Sequence, residues 1–595
     1  MPDEINELEK NYKAGLSYHR EMGFTSNWPV YERFKTGDQW PAPTERTKNL
    51  PRPVFNIVQF ITDHKKSSIL QENVKMTFSP EEVPADQDGD NVINPQEQQI
   101  MNLALEGAEK FSQYSETVWS NVDQDALNEQ ALDDASSLGS GIWHYYWDDN
   151  IEGGIITKYK GDMAGEVLDP SNVFFGNPQC KDVQKQPWII ISGRELVSTV
   201  KEIAQSKGVS HQDIAKITPD KNVNDELYDS AKKELIDSDK TTTLTMYYKK
   251  TITMPTDEIN PLTLKPITKQ VKKVFFKKAA SGVIYQPETD LGEGTEQGFT
   301  VYPIEIMSWK SRKKCIYGIG ETEGIIPNQK AINFNIAMLL LSVQETAWPK
   351  MLAKIGALNQ SITNTPGEII YDHHDGQGDG IKFMETGKIS EMSVVLTDKV
   401  TELTRIFSGV NEVSTGEPFT GDLNASAIIA LQNQAKIPID QIRKSFYRSL
   451  KRIGRIWEEF FKVKYNITRK VSVKDVDGNE VPIDFNGSQY ADIPYKLKID
   501  IGTSSQISEP LTVASIDKFL DKGFIDFMTA LDLYPATVVP FKDRLIKKIQ
   551  QQQEQNNIAI QQFIAQLPQE VQQIIIQAMQ GGLQQPPPNQ QQVAS

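Results

Sequence analysis

The chain has 595 residues, of which 38% are hydrophobic, 24% charged and 9% aromatic, ordinary globular usage that excludes a disordered or fibrous polypeptide. Lysine and arginine number 63 against 79 aspartates and glutamates, and the net charge of −16 excludes a protein that coats nucleic acid through a dominating basic surface. With only Cys180 and Cys315, a disulfide framework and every four-cysteine zinc site are excluded as well.

The polar, acidic start, Met1 to Lys10, has no apolar signal segment, and the longest apolar run, Ile336 to Leu341, is far too short to span a bilayer, so no membrane role is expected. Up to about residue 110, short helical stretches surround an extended passage set by Pro51 and Pro53, each of which disfavours a helical residue before it. From Gly107 to Leu138, Phe111, Tyr114, Val118, Val122, Leu127 and Leu132 recur at helical spacing. Short strand-like runs follow at 143–147, 155–159, 188–191, 244–248, 271–276 and 283–285, broken by Gly, Pro, Asn and Asp. The region to about Lys314 thus reads as one large α+β body.

Pro327, three residues after Gly324, predicts the first turn of a helix with Ile332, Ile336, Leu339, Leu340 and Val343 on its apolar face, closing near Trp348-Pro349. Glycine-rich sequence at 356–387 predicts a small β insertion, and a second helix is expected from about Ser390 to Val410. The loop Ser414–Asp422 interrupts, and Asn424 can cap the next helix. In that helix, about 425–465, Ile439, Ile442, Phe446, Leu450, Ile453, Trp457 and Phe460 fall on one stripe, and Pro438 predicts a kink. A helix of that length, ~60 Å, must pack on something equally long. Asp477-Gly478 then predicts a hairpin between 469–473 and 481–485, with 495–501 adding a third strand. Short helices are expected over 508–550. The glutamine-rich end keeps a helical stripe through Ile560, Phe563, Leu567, Val571, Ile574 and Met579, with disorder from Gly581 onward.

The sequence carries no recognisable catalytic chemistry. Gly416 to Gly421 has phosphate-loop glycine spacing, but Asp422 replaces the lysine. Gly318-Ile-Gly320 is followed by Glu323 where a dinucleotide loop needs its third glycine, so it reads as a turn leading into a helix. Asp86, Asp88, Asp90 and Glu97 have calcium-loop spacing but Asn91 replaces the essential glycine. The neighbours Asp372, His373, His374 and Asp375 alternate in direction on extended chain and cannot all bind one ion. One basic concentration stands out: Arg443, Lys444, Arg448, Lys451, Arg452 and Arg455, with no acid between Asp440 and Glu458. Such a cluster suits phosphate contact or salt bridges to a neighbouring helix or subunit, and both readings stand open.

The order of these parts resembles the portal protein of tailed bacteriophages. Tyr31-Glu-Arg-Phe-Lys-Thr-Gly37-Asp38-Gln39-Trp40 and Arg52-Pro53-Val-Phe-Asn56-Ile are similar to the family's N-terminal signature. Gly318-Ile-Gly320 before a helix, a β insertion, a second helix, Glu412-Val-Ser-Thr-Gly416-Glu-Pro418, then Asn424-Ala-Ser426-Ala and the long helix continue the likeness. The resemblance implies an α+β portal fold: wing at 1–316, stem helix at 317–350, clip at 351–388, returning stem helix at 389–411, tunnel loop at 412–424, spine helix at 425–466, wing β region at 467–505, crown at 506–550 and a glutamine-rich helix and tail at 551–595.

It further implies a non-enzymatic ring, normally a dodecamer, at one capsid vertex of the virion, assembled in the host cytoplasm and needing no cofactor. Its expected partners are double-stranded DNA held non-specifically in the channel, the terminase large subunit, the major capsid protein with any scaffold, and a head-tail adaptor. Thr415, Gly416, Glu417, Pro418, Phe419 and Thr420 would line the narrowest point. Asp372, His373, His374, Asp375, Asp379 and Lys382 would belong to the clip that docks motor and adaptor. The rival readings are a metal-dependent nucleic-acid enzyme using Asp148, Asp149, Asp162 and Glu166, and a shell-forming capsid or scaffold protein.

Overall fold

The computed structural model describes residues 2–45, 47–48, 50–71, 74–81, 95–154, 158–220, 239–259, 266–293, 298–347, 351–355, 381–383, 391–410, 425–474, 480–501, 508–534, 545 and 548–549. The chain divides into two units, Met1–Val471 with Ile483–Gly502, and Ser472–Pro482 with Thr503–Ser595.

The first unit opens with helices α1 (Pro2–Glu21), α2 (Phe24–Thr36) and α3 (Ile57–Leu70), then strand β1 (Val74–Pro80). The apolar run predicted over 107–138 is two helices, α4 (Pro95–Asn121) and α5 (Gln124–Leu138). Asp123 between them takes a left-handed φ of 52°, which a continuing helix cannot contain. Two antiparallel sheets follow. In the first, β2 (Ser140–Gly153) lies between β3 (Tyr159–Leu168) and β9 (Ile304–Ser308). The second runs in order β4 (Val173–Phe175), β5 (Trp188–Leu196), β6 (Lys240–Ile259), β7 (Pro266–Ala280) and β8 (Val283–Asp290), with α6 (Val197–Ser206) and α7 (His211–Lys216) between β5 and β6. The strands predicted at 143–147, 188–191, 244–248, 271–276 and 283–285 lie within longer strands; of the run at 155–159, residues 155–157 lie outside the described residues and β3 begins only at Tyr159.

Next come α8 (Glu321–Ala347), the short pair β10 (Met351–Ala353) and β11 (Ile381–Phe383), α9 (Glu391–Ser408) and the 40-residue α10 (Ala425–Lys464). The helix α8 starts six residues before Pro327, so the proline lies inside it rather than at its first turn. β12 (Arg469–Lys474) pairs with β13 (Glu480–Phe485) as predicted. The third strand does not join them: β14 (Tyr495–Ile501) pairs antiparallel with β1, from Val74↔Ile501 to Pro80↔Tyr495. That partner lies more than 400 residues upstream, where no hairpin rule reaches it. In the second unit, α11 (Ser508–Asp521) and α12 (Phe527–Leu533) pack together, with Tyr534 donating to Asp517 and Asp526 capping α12.

The α10 stripe is the spine of the core. Ile439, Ile442, Phe446, Leu450, Ile453, Trp457 and Phe460 are all buried, and the helix runs through Pro438 without breaking. Phe461 meets Phe111 of α4 with ring centroids 5.4 Å apart, and Phe485 stacks on Tyr114 at 3.9 Å. Beneath this seam Arg469 is buried with its guanidinium 4.1 Å from the Tyr159 ring and 4.2 Å from the Tyr465 ring, and it pairs with Asp162 at 3.2 Å.

The N-terminal signature is an amide clamp on the root of α8. Gln39 Nε2 donates to Phe34 O (2.8 Å) and Asn56 Oδ1 (2.9 Å), while Asn333 Nδ2 donates to Gln39 Oε1 (2.6 Å). Gln329 Nε2 donates to Phe55 O (2.7 Å) and Asn333 Oδ1 (2.9 Å), and its Oε1 accepts from Ile57 N (2.9 Å). Asn56 caps α3 by accepting from Gln59 N, and Trp40 Nε1 donates to Pro53 O. The glycines at 318 and 320 serve packing rather than a nucleotide: a Cβ on either would lie 2.2 Å from Gly139 O or 2.4 Å from Ser137 O.

Gln329→Leu fills the same space but takes the partner from the buried Val58 amide and from Asn333 Oδ1, while Ile57 N and Phe55 O keep their bond to each other. At ~1–3 kcal/mol for a buried unsatisfied group, the denaturation midpoint should fall clearly. A midpoint equal to wild type would show that the clamp does not hold α8.

Candidate functional site

The α8 helix is rooted in charge. Its first residue, Glu321, is buried and accepts from Lys65 Nζ (2.9 Å), Lys310 Nζ (2.9 Å) and Trp309 Nε1 (3.1 Å). Burial pushes this carboxyl up, but the two lysines outweigh it and hold it below the usual range. The negative charge also sits at the positive end of the helix dipole. Eight residues of the first seventeen are buried; beyond Ala337 none is, and Phe334, Met338, Leu340 and Val343 are exposed.

The α9 helix is amphipathic the wrong way round for a single copy. Its side against α8 is hydroxylic: Thr397, Thr404 and Ser408 are buried, and Asn328 Nδ2 of α8 donates to Thr404 Oγ1 at 3.1 Å. These hydroxyls donate to carbonyls of their own helix, Thr397 to Ser393, Thr404 to Val400 and Ser408 to Arg405, so burial leaves no orphan donor. The apolar side chains face away from α8. Met392, Val395, Leu396, Leu403 and Ile406 are exposed, and Phe407 is 83% exposed. At the helix end Gly409 takes a φ of +79°, and a Cβ there would meet Pro438 of α10 at 2.9 Å.

On α8 the side turned from Asn328 carries Lys330, Phe334 and half-buried Leu341. It borders a largely apolar groove of about 640 Å³ lined by Val30, Phe34, Trp40, Pro41, Ala331 and Phe334. Lys330 sits over the Phe34 ring at 5.3 Å. The α8–α9 layer therefore exposes apolar surface on two opposite flanks. None of its helices is long and apolar enough to cross a membrane, and the same holds for every helix among the described residues.

The predicted tunnel residues Thr415, Gly416, Glu417, Pro418, Phe419 and Thr420 lie outside the described residues, as do Asp372, His373, His374, Asp375 and Asp379 of the clip. Lys382 is described: it is exposed on β11, opposite Leu352. The basic cluster of α10 is split. Arg443 is taken up by Asp440 Oδ1 (2.9 Å) and Ser68 O (3.0 Å), and Arg452 by Glu305 Oε1 (3.0 Å). Lys444, Arg448, Lys451 and Arg455 are exposed and make no hydrogen bond or ion pair among the described residues.

Of the carboxylates in the rival enzyme reading, Asp148 and Asp162 stand opposite each other on β2 and β3, but they are not joined by a third acid among the described residues. Asp162 is taken up by Arg469 and accepts from Tyr465 OH at 2.5 Å. Glu166 pairs with His144 Nδ1 at 2.8 Å, and Asp148 Oδ1 accepts from Asn150 N. Among the described residues no three His, Cys, Asp or Glu side chains could hold one metal ion. What sequence reasoning missed is the direction of α9. Periodicity shows that a helix has an apolar face but not which way it turns; the usable signal was Thr397, Thr401, Thr404 and Ser408 at helical spacing on the other side.

Glu305 gives the α10 junction a pH dependence. It is 1% exposed on β9, and burial pushes its carboxyl up to about 8 although Arg452 opposes the shift. The unfolded carboxyl titrates near ~4.3, so the folded state holds the proton more tightly between these values and stability falls as pH rises from 5 to 8. Glu305→Gln should remove that share of the slope in unfolding curves across this range; a slope equal to wild type would mean Glu305 is ionised throughout.

The family model of the phage P22-like portal protein matches residues 30–593, and no curated protein matches the chain. A match over nearly the whole length settles the family where single motifs do not: the chain belongs to the phage P22-like portal protein family.

Proposed function

We propose that copies of this chain close into a ring, of twelve subunits as is typical of the family, whose channel passes the genome during packaging, retains it, and releases it at infection. Family membership supports the coarser statement, a structural connector at a phage capsid vertex. The outward apolar face of α9 carries the finer one. A helix that buries threonines against its own chain and turns Val395, Leu396, Leu403, Ile406 and Phe407 to solvent is built for a neighbour. In a head-to-tail contact one flank of the α8–α9 layer meets the opposite flank of the next copy, and repetition closes a ring.

In this reading 317–350 and 389–411 are the stem, residues 351–388 form the clip toward the terminase large subunit and the head-tail adaptor, and Thr415 to Thr420 approach the DNA. The capsid protein with any scaffold surrounds the body. The net charge of −16 per copy disfavours adhesion of phosphate to the ring as a whole, so that DNA slides.

Leu403→Glu combined with Phe407→Glu should abolish ring formation in native mass spectrometry and single-particle images. The thermal midpoint of the lone subunit should stay near wild type, because surface substitutions usually fall within ~0.5 kcal/mol. Rings of normal size from this variant would refute assembly through α9. Deleting Gly416–Gly421 should leave rings intact but impair DNA packaging or retention; loss of rings instead would count against a tunnel role.

A further inference from the structure

We propose that the outer face of α10 is a binding surface for the phosphate backbone of duplex DNA, formed by Lys444, Arg448, Lys451 and Arg455. Steps of 4, 3 and 4 residues place the four side chains within one narrow stripe, ~16 Å long at 1.5 Å per residue. The opposite side of the same helix holds the buried row from Ile439 to Phe460, so the stripe stands on a rigid support. All four are exposed and without a hydrogen bond or ion pair among the described residues, whereas their neighbours Arg443 and Arg452 are already paired.

Positive charge continues past the end of the stripe. Arg455 and Lys272 both act on half-buried Lys249, whose Nζ donates to Gln184 O at 3.0 Å and lies 4.7 Å from the centroid of the Tyr302 ring. Lys249 and Lys272 line a pocket of about 720 Å³ together with Lys185, Gln184, Gln186 and Gln270, cations and amide donors. The acids near it have other duties: Glu459 accepts from Thr300 N and Oγ1, and Asp182 caps a turn at Gln184 N and pairs with Lys185. Glu459 and Asp182 both act on Lys249, so two acids stand among the four cations Lys185, Lys249, Lys272 and Arg455.

The occupant this surface fits is a polyanion rather than a second copy of the chain. Subunit interfaces have apolar centres and are depleted in lysine. No large apolar side chain between 438 and 466 is exposed, whereas α8 and α9 each carry several. Duplex DNA presents a charge about every 1.7 Å along its axis, so a ~16 Å row of four cations meets several phosphates at once, with no base read. This contact lies outside the 415–420 loop and goes beyond the ring reading, whose test is the assembled mass.

The full chain, with all four residues changed to Gln, is compared with wild type for binding a fluorescein-labelled random-sequence duplex by anisotropy between 50 and 200 mM KCl. Each phosphate contact contributes a slope of about −0.9 in log K against log salt, so the slope should become shallower by about 3–4. Across that fourfold range of salt, wild type should lose about 100-fold more affinity than the variant. Unchanged slope and affinity would overturn the proposal. So would loss of the wild-type assembled mass in the variant, which would make the stripe a contact between subunits. In wild type the duplex should also protect Lys444 and Lys451 from acylation; equal labelling with and without duplex would overturn it too.

Discussion

The placement of α8 and α9 depends on how α8 leaves the body. Gln39, Asn56, Gln329 and Asn333 satisfy one another and the backbone around Phe55 and Ile57, while Glu321 is held between Lys65 and Lys310. Gln39, Gln329, Asn333, Lys65 and Glu321 are buried, so removing one of them strands another. A long helix anchored at one end by such groups has a fixed direction, and the α9 helix that returns beside it inherits that direction. Within the signature Gln39 accepts from Asn333 of α8, Asn56 orients Gln39, and Trp40 and Arg52 tie 40–41 to 52–53.

The second half of α8 and the outer side of α9 carry apolar surface that no other described residue covers. Burial of a single large apolar side chain contributes about 1.5–3 kcal/mol, so five or six of them at each contact of the proposed ring would offset much of the entropy of association. The division of labour is sharp along the chain. Apolar surface is concentrated where helices leave the body, and unpaired cations are concentrated on α10, where the body is rigid.

Much of this was legible in the residues. The α10 stripe and the hairpin at 469–485 follow from local periodicity and turn chemistry. The pairing of β14 with β1, the break at Asp123 and the start of α8 before Pro327 do not, because each is decided by groups distant in sequence or by a single backbone angle. The basic cluster was visible as a composition, but its division into paired Arg443 and Arg452 and unpaired Lys444, Arg448, Lys451 and Arg455 needs the positions of Asp440 and Glu305. The resemblance to portals came from the order of weak motifs, and the family match rests on the same ordering over 30–593.

The hydroxyl-lined seam between α8 and α9 has a mechanical meaning. Thr397, Thr404 and Ser408 spend their hydrogens on their own helix, and Asn328 of α8 donates across the seam to Thr404. Short side chains with internal partners offer few interlocking teeth, so sliding one helix along the other breaks little. Strain applied to the far tips of the two helices would meet least resistance along this seam, as axial shear, before it reached the anchored root.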